Sequence, residues 1–243
     1  HHSWLLVLSD WHIGQSTDMP STGGIFEQSS EIAEAQIRQL WERLALIHAI
    51  TARSINVEEL VILCLGDIVE GDGMRRSQAR KIDELVTTQA LRAVDILAWF
   101  ILQAQTRFKH VRVETVGGNH DRVSEKPGDA GLGEYGYTDT WAFLVAAFIE
   151  KMFMFAHKAG RVTFKNNESF YGKTLIAGLR TVYEHGCSFR TGSGAYGGIS
   201  WYPIVNAARN YQDMLDGADL VVFGHFHTGA VLPLSSGDGW HIM

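Results

Sequence analysis

Short runs of consecutive apolar residues alternate along the chain with longer stretches in which apolar residues recur every three or four positions. The short runs are rich in Val, Leu and Ile and predict buried strands at residues 4–8, 60–65, 111–116 and 220–223, with one or two more in a hairpin-like arrangement at 173–183. The recurring stretches predict amphipathic helices at residues 31–52, 83–107, 138–158 and about 203–215. The clearest example is the first helix, whose apolar positions are Ile37, Leu40, Trp41, Leu44 and Ile47.

Strands separated by helices of this length predict an α/β (α+β) protein. No segment rich in Pro, Gly or Ser divides the chain, so we expect one domain over residues 3–243. The opening residues His1 and His2 are interpreted as the remnant of a purification tag and are left out of the fold.

Composition matters mainly for what it excludes. The formal net charge of -6 excludes an overall basic coat for nucleic acid, although bound cations can reverse the sign of charge at a local site. Cys64 and Cys187 are too few for a disulfide framework in a chain of 243 residues, so we expect a reducing, cytoplasmic compartment. The longest clean apolar stretch, residues 141–149, is too short to cross a bilayer, and no membrane partner is expected.

Residue types that bind metals follow five of the predicted strands directly. The five groups are Asp10-x-His12, Gly66-Asp67, Gly118-Asn119-His120-Asp121, His185-Gly186 and Gly224-His225-x-His227. Loops at the carboxyl ends of strands are where open α/β sheets place ligands. An extended backbone would point both side chains of each spaced pair to one side, and the glycines before the donors would relieve crowding where the chain turns. Each group alone is common, but all five in this order predict a metal site.

These motifs resemble the calcineurin-like metallophosphoesterase superfamily over nearly the whole chain. The resemblance implies two β-sheets packed face to face and flanked by helices, a four-layer αββα fold. It also implies two divalent cations, with Asp67 bridging them and His120 beside them, acting on the substrate. The remaining ligands would be Asp10, His12 and His227 for the first cation and Asn119, His185 and His225 for the second.

The chemistry of these residue types agrees with hydrolysis of a phosphate ester. Two divalent ions, two carboxylates and a hydroxide that bridges the metals leave a net positive charge, which suits an anionic phosphate. We predict His120 and Asp121 as catalytic residues, because His120 would protonate the leaving oxygen or stabilise charge on phosphorus. Asp121 either orients His120 or caps a turn. Imidazole, carboxylate and amide ligands fit manganese, our leading expectation, and also iron, zinc or nickel.

The details of the second and third motifs bear on the substrate. Protein Ser/Thr phosphatases of the superfamily carry Asp-Arg-Gly at the end of the second motif and Gly-Asn-His-Glu in the third. Here Glu70-Gly71-Asp72 and Asp121 stand in those places. The chain is therefore more similar to the DNA-repair nuclease branch (Mre11/SbcD-like enzymes) and to related phage phosphoesterases, although it lacks the aromatic-Asp pair that is usual in those nucleases.

A basic run, formed by Arg75, Arg76, Arg80 and Lys81, follows the second motif. On the loop that leaves Asp67, these side chains would hold phosphates that flank the scissile one, and a solvated helix start is the alternative. We therefore expect a phosphodiesterase or nuclease that cleaves DNA or RNA. A phosphatase or diesterase of small nucleotides and a non-catalytic metal-bound scaffold stay open as alternatives, and so does a homodimer.

Overall fold

A computed structural model describes residues 2–74, 77–123, 136–156, 160–188, 201–214, 217–233 and 240–242. Its helices are α1 (Ser30–Thr51), α2 (Val86–Ala104), α3 (Trp141–Phe155) and α4 (Trp201–Met214), with short 3-10 helices at Pro20–Thr22 and Gln78–Arg80. Its strands are β1 (His2–Leu8), β2 (Val57–Cys64), β3 (His110–Thr115), β4 (Val162–Asn166), β5 (Tyr171–Ile176), β6 (Leu179–Glu184), β7 (Leu220–Phe223), β8 (Val231–Pro233) and β9 (Trp240–Ile242).

The strands form two sheets. The first sheet has the order β1-β2-β3-β4, and all of its strands are parallel. The second has the order β5-β6-β7-β9-β8; β6, β7 and β9 are parallel, and β5 and β8 are antiparallel to their neighbours. Because parallel strands share one direction, the carboxyl ends of β1, β2 and β3 lie at the same edge of the first sheet, and those of β6 and β7 lie together in the second.

Alternate residues of β2 belong to two different cores. Leu60, Ile62 and Cys64 pack with buried residues of α1, α2 and α3, whereas Val61 and Leu63 pack with buried residues of the second sheet. Successive strand residues point to opposite faces of a sheet, so this alternation places helices on one face of the first sheet and the second sheet on the other.

The second sheet is also covered on both faces. Leu220 and Val222 of β7 belong to the core between the sheets, whereas Val221 and Phe223 pack with Ile204 of α4. The four layers are thus helices, sheet, sheet and helix, which confirms the predicted two-sheet fold flanked by helices.

The elements predicted from the apolar pattern are present, and the predicted arrangement at residues 173–183 is an antiparallel hairpin of β5 and β6. Three strands, β4, β8 and β9, were not predicted, because they have only three to five residues and carry no long apolar run. Helix α1 begins one residue before its predicted start and α3 begins three residues after it. Their N-caps are Ser29 and Thr140, whose side chains accept backbone hydrogen bonds. Within the described residues, no helix is long and apolar enough to cross a membrane.

A polar network crosses the core between the two sheets. The buried Glu114 carboxylate on β3 accepts hydrogen bonds from Tyr183 at 2.5 Å and from Thr174 at 2.6 Å. The Tyr183 hydroxyl also accepts a bond from Asn167 Nδ2 at 2.8 Å. Burial raises the pKa of Tyr183, and the Glu114 charge raises it further, so the phenol stays protonated and donates. The network ties β3 to β5 and β6 at a fixed register.

We expect Tyr183→Phe to lower the free energy of unfolding by about 1.5–3 kcal/mol, the usual contribution of a hydrogen bond to a charged group. For a chain of this size, the melting temperature should fall by roughly 3–10 °C in thermal denaturation. Tyr202→Phe is the matched control, because Tyr202 is 76% exposed on α4. An equal loss in both variants would contradict a role for the buried bond.

Candidate metal centre

All five predicted motifs meet at one edge of the two sheets. The loop after β1 runs beside the loop after β2, because the backbone nitrogens of Asp10 and His12 donate to the carbonyls of Gly66 and Asp67 at 3.1 and 3.0 Å. Between the sheets, the backbone nitrogen of His225 donates to Asp10 Oδ2 at 2.9 Å. The seven predicted ligands are therefore brought together by backbone as well as by side chains.

The first group of donors consists of Asp10, His12 and His227. His227 Nε2 lies 3.2 Å from Asp10 Oδ1 and 3.3 Å from His12 Nε2. Asp10 Oδ2 is held by the Ser9 hydroxyl at 2.5 Å and by the His225 backbone nitrogen. The other carboxylate oxygen, Oδ1, is thereby left facing the two imidazoles.

The second group of donors surrounds His185 Nε2. Asp67 Oδ2, Asn119 Oδ1 and His225 Nδ1 lie 3.1, 3.1 and 3.2 Å from it. Asp67 Oδ2 is also 3.9 Å from His12 Nε2, a member of the first group. The same carboxylate oxygen therefore faces both groups, as the predicted bridging role of Asp67 needs if one oxygen is shared.

Two observations indicate that these two groups of donors fit two divalent cations. Two donors about 2.1 Å from one ion and at right angles to each other lie about 3 Å apart, close to most of the separations given above. In addition, Asp10 Oδ1 is buried and makes no well-aligned hydrogen bond among the described residues, although His227 Nε2 lies 3.2 Å from it. A buried carboxylate oxygen without a partner is costly unless a cation or another donor meets it.

The backbone at the donors differs from the expected one. We expected an extended chain at Asp10-x-His12 and His225-x-His227, and this is wrong. The φ angles are 57° at Asp10, 46° at His12, 72° at His225 and 51° at His227, all in the left-handed region. Asp67 has the same conformation, with φ of 49°. Such conformations cost non-glycine residues about 1–3 kcal/mol each, and they concentrate at functional sites, where the surrounding bonds hold them.

Glycines at the strand ends allow the two sheets and their loops to approach closely. At Gly66, where φ is 84°, an added Cβ would lie 2.2 Å from the backbone nitrogen of Gly118. At Gly224 it would lie 2.1 Å from the Ser9 hydroxyl. The expectation that glycines relieve crowding is confirmed at both positions.

His120 lies beside the donors but is held by other partners. Its ring meets that of His12 edge to face, with centroids 4.6 Å apart. Its Nδ1 lies 3.2 Å from Glu70 Oε2 and 2.9 Å from Gln78 Nε2. Glu70 Oε2 also lies 2.8 Å from Nδ1 of the predicted ligand His12. One carboxylate therefore orients both a predicted ligand and the predicted acid.

Glu70 and Gln78 were not among the predicted site residues. Glu70 was noted only as a departure from the phosphatase motif, although a carboxylate three residues after Asp67 in a buried loop is a usable signal. Gln78 has no motif around it. Both are buried, and their roles follow from contacts that join positions 8 to 58 residues apart.

Asp121 caps the loop of Asp67 instead of orienting His120. Its carboxylate accepts hydrogen bonds from the backbone nitrogens of Asp67, Ile68, Val69 and Gly118, at 2.7 to 3.3 Å. It is fully buried, so it does not face a substrate. Of the two roles considered from the sequence, its contacts match the turn cap. The catalytic assignment of Asp121 is therefore replaced by a structural one.

In the absence of cations, the imidazoles supply the charge that the carboxylates need. Burial opposes ionisation of Asp67, but the charge and hydrogen bond of His185, together with the charges of His120 and His12, lower the Asp67 pKa. Burial alone would lower the pKa of His185, whereas Asp67 raises it to about 9. Glu70 behaves like Asp67, with its pKa lowered to about 2 by His12 and His120 against the effect of burial. Cations that bind to these ligands would therefore displace protons.

The protonation of the two residues of the third motif also reflects their neighbours. Burial opposes the charged form of His120, but the bond to Glu70 and the charge of Asp67 raise its pKa. Burial and the Asp67 charge raise the pKa of Asp121 to about 6, while its backbone bonds oppose that change. These neighbours favour the protonated form of His120, which is the form that a general acid needs.

Two of the four residues of the basic run can be placed. Arg80 ends the 3-10 helix Gln78–Arg80, Lys81 follows it, and both are exposed. Arg75 and Arg76 lie outside the described residues. The Lys81 carbonyl accepts a bond from the backbone nitrogen of Ser16 at 2.8 Å, so the segment is fixed to the loop that follows β1. It borders the site because Gln78 contacts His120.

None of the curated proteins matches the sequence significantly. Among solved structures, protein PH1004 from Pyrococcus horikoshii OT3 is 11% identical, with a TM-score of 0.44 over 99% of this chain and 75% of that one. A structure described as a novel archaeal phosphodiesterase is 12% identical, with a TM-score of 0.39 over 98% and 81%. Vps29 from Chaetomium thermophilum is 11% identical, with a TM-score of 0.38 over 98% and 68%.

The sequence itself matches a protein family over residues 3–229, which is nearly its whole length. The matched stretch runs from β1 to the residues just after His227 and so includes all five motifs. The resemblance drawn from those motifs is therefore confirmed, and the chain belongs to the calcineurin-like phosphoesterase family.

Proposed function

We propose that this protein is a metal-dependent phosphodiesterase that uses two divalent cations to cleave DNA or RNA. The observation that carries the proposal is that Asp67 Oδ2 lies between two groups of donors, with His120 beside them. Two bound cations supply Lewis acidity and a hydroxide nucleophile at neutral pH. Manganese is the proposed ion, and iron, zinc or nickel is the alternative, because nitrogen and oxygen donors without thiolate fit all four.

The residues of the chain have two roles in this reaction, which are metal binding and proton donation. Asp10, Asp67, Asn119 and the four imidazoles of the two donor groups would hold the cations. The backbone nitrogen of His120 donates to Asp67 Oδ1 at 2.7 Å, which fixes the Asp67 carboxylate. His120 is held through Nδ1, so Nε2 is the atom that can donate its proton to the leaving oxygen. The product alcohol then carries that proton away, and the rate gain from such donation is typically ~10²–10⁴-fold.

The preference for a polynucleotide rests on the position of the basic run. Arg80 lies about 4 Å beyond Gln78 along the 3-10 helix, and Gln78 contacts His120. The exposed side chains of Arg80 and Lys81 would therefore be within reach of phosphates next to the scissile one. The net charge of -6 would repel a polyanion unless a local basic surface offsets it. Phosphate contacts of this kind position a strand without reading its sequence.

Replacing Arg75, Arg76, Arg80 and Lys81 together with Ala is expected to raise KM for a single-stranded oligonucleotide at least tenfold at low salt. The slope of log affinity against log salt should fall by up to about 3, because each single-strand contact releases ~0.7 counterion. Turnover of a small aryl phosphodiester should change little. The measurement is steady-state kinetics of both substrates with Mn²⁺, from low to physiological salt.

The matched control replaces Arg43, Arg53, Arg107 and Lys151, four exposed residues of the helical layer, with Ala. It removes the same charge and should leave KM nearly unchanged. Equal losses on both substrates would show that the basic run supports the loop of Asp67. No loss on either substrate would show that the run is a solvated surface without a role in binding. Wild-type activity on cyclic nucleotides or on aryl monoesters alone would favour a small-molecule substrate. No hydrolysis in the presence of bound metal would favour a scaffold.

A further inference from the structure

The buried amide of Gln78 joins the basic segment to His120. Its Nε2 lies 2.6 Å from the carbonyl oxygen of Glu70, 3.1 Å from Glu70 Oε1 and 2.9 Å from His120 Nδ1. Its Oε1 accepts a bond from the backbone nitrogen of Met74 at 3.0 Å. The Glu70 carbonyl can only accept and the Met74 N–H can only donate, so the nitrogen and the oxygen of the Gln78 amide are assigned by their partners.

These contacts decide what the cluster of His12, Glu70 and His120 can bind. Three donor atoms of this kind could hold a cation elsewhere in a protein. Here the amide nitrogen of Gln78, a hydrogen-bond donor, lies 3.1 Å from Glu70 Oε1 and 2.9 Å from His120 Nδ1, so it occupies the surroundings that a cation would need. The cluster is therefore a hydrogen-bonded brace.

We propose that Gln78 is a positioning residue, which holds the Glu70 carboxylate and the His120 ring in the orientation that turns His120 Nε2 toward the leaving oxygen. The amide acts on Glu70 Oε1, so that Oε2 is presented to the Nδ1 atoms of both His12 and His120. The proposal rests on the proposed function, because it assumes that His120 donates a proton to substrate.

A second contact from the same segment supports this assignment. The side-chain amide of Asn119 donates to Met74 Sδ at 3.0 Å, while Asn119 Oδ1 faces the second group of donors. Residues 74 and 78 thus orient two consecutive residues of the third motif. In this segment the buried Gln78 faces the site and the exposed Arg80 faces solvent. Orientation of the site residues and binding of substrate phosphates would therefore fall to different residues.

The test is to replace Gln78 with Met, which keeps the volume and removes the amide, and to compare two diesters that differ only in leaving group. Methyl 4-nitrophenyl phosphate has a good leaving group and needs little acid assistance. Methyl phenyl phosphate expels a phenol whose pKa is about 10 and needs it strongly. We expect kcat to fall on the order of 10- to 100-fold on the phenyl ester, since small misplacements cost up to about that much. On the nitrophenyl ester, assayed with saturating cation, kcat should fall less than about threefold with KM unchanged. Affinity for the first cation should fall less than in Glu70→Gln, because Glu70 Oε2 is still present to contact His12.

Two further variants separate positioning from general damage. Ser77→Ala is the control, because Ser77 is the exposed neighbour and its side chain makes no capping bond. In a His120→Asn background, Gln78→Met should have no additional effect, because a residue that acts through His120 has nothing left to orient. Equal losses on the two esters, or a further loss in the double variant, would overturn the proposal. Gln78→Ala provides the same comparison if the Met variant does not fold.

A readout independent of turnover distinguishes this proposal from the proposed function. In protein labelled with ¹⁵N-histidine, the ring nitrogen signals of His120, assigned with His120→Asn, should shift in Gln78→Met and stay in place in Ser77→Ala. If the wild-type chain hydrolyses no diester with any cation, the proposed function fails. The NMR comparison then still decides whether Gln78 orients the ring, and an unchanged His120 signal counts against it.

Discussion

Asp67→Asn is expected to bind neither cation, because one carboxylate oxygen serves both groups of donors. The replacement has the same shape, and Oδ1 of the amide can still accept the bond from the backbone nitrogen of His120. The NH₂ group then takes the place of Oδ2, 3.1 Å from His185 Nε2, where it offers hydrogens instead of a lone pair. Loss of an outer partner of a ligand already weakens metal binding by ~10–100-fold, and loss of a shared ligand should exceed that for each ion.

Elemental analysis and calorimetric titration with Mn²⁺ measure this loss directly. In thermal denaturation, cations at 100 times their dissociation constant should stabilise the wild-type chain by about 2.7 kcal/mol, a rise of roughly 5–10 °C in melting temperature. The variant should show no rise. Asp72→Asn is the control, because Asp72 is an exposed carboxylate five residues further along the same segment. If Asp67→Asn retains two ions, the prediction that Asp67 bridges the cations is wrong.

The sequence predicted the site well where local pattern and strand direction decide it. Each apolar run identified a strand, and parallel strands of one sheet bring their carboxyl ends to one edge, so Asp10, Asp67 and Asn119, which follow β1, β2 and β3, could be placed together without coordinates. The short strands β4, β8 and β9 carry too few residues for a period to be recognised. They form because a neighbouring strand offers backbone partners, which is a property of the assembled sheet.

The backbone and the outer contacts of the site could not be predicted in the same way. A left-handed conformation at His12 or His227 runs against local preference and exists only because bonds from other loops hold it. Asp121 follows His120 directly, which favoured a pairing of the two side chains, but the turn sends its carboxylate back to the amides of residues 67–69. Glu70 then takes the place beside His120.

Glu70 makes it possible to separate metal binding from proton donation by substitution. It contacts Nδ1 of a predicted ligand, His12, and Nδ1 of His120, whereas His120 itself contributes no atom to either group of donors. Replacement of Glu70 with Gln should therefore weaken binding of the first cation by ~10–100-fold and also lower kcat. A change confined to His120 should affect turnover alone.

His120→Asn is expected to keep both cations and to lose ~10²–10⁴-fold in kcat on substrates with poor leaving groups, a barrier increase of about 3–5 kcal/mol. Asn is too short to reach the leaving oxygen from this backbone position, and its amide does not donate a proton as an imidazolium does. The loss should shrink on a nitrophenyl ester, which departs without a proton. Metal content by elemental analysis and kcat on the two aryl diesters are measured on one preparation of His120→Asn, with Glu70→Gln measured in parallel.

If metal content falls together with kcat in His120→Asn, then His120 is a ligand, and the proton must come from another group. If both esters slow equally while both ions stay bound, then His120 acts on the charge at phosphorus, because that interaction does not depend on how readily the alcohol departs.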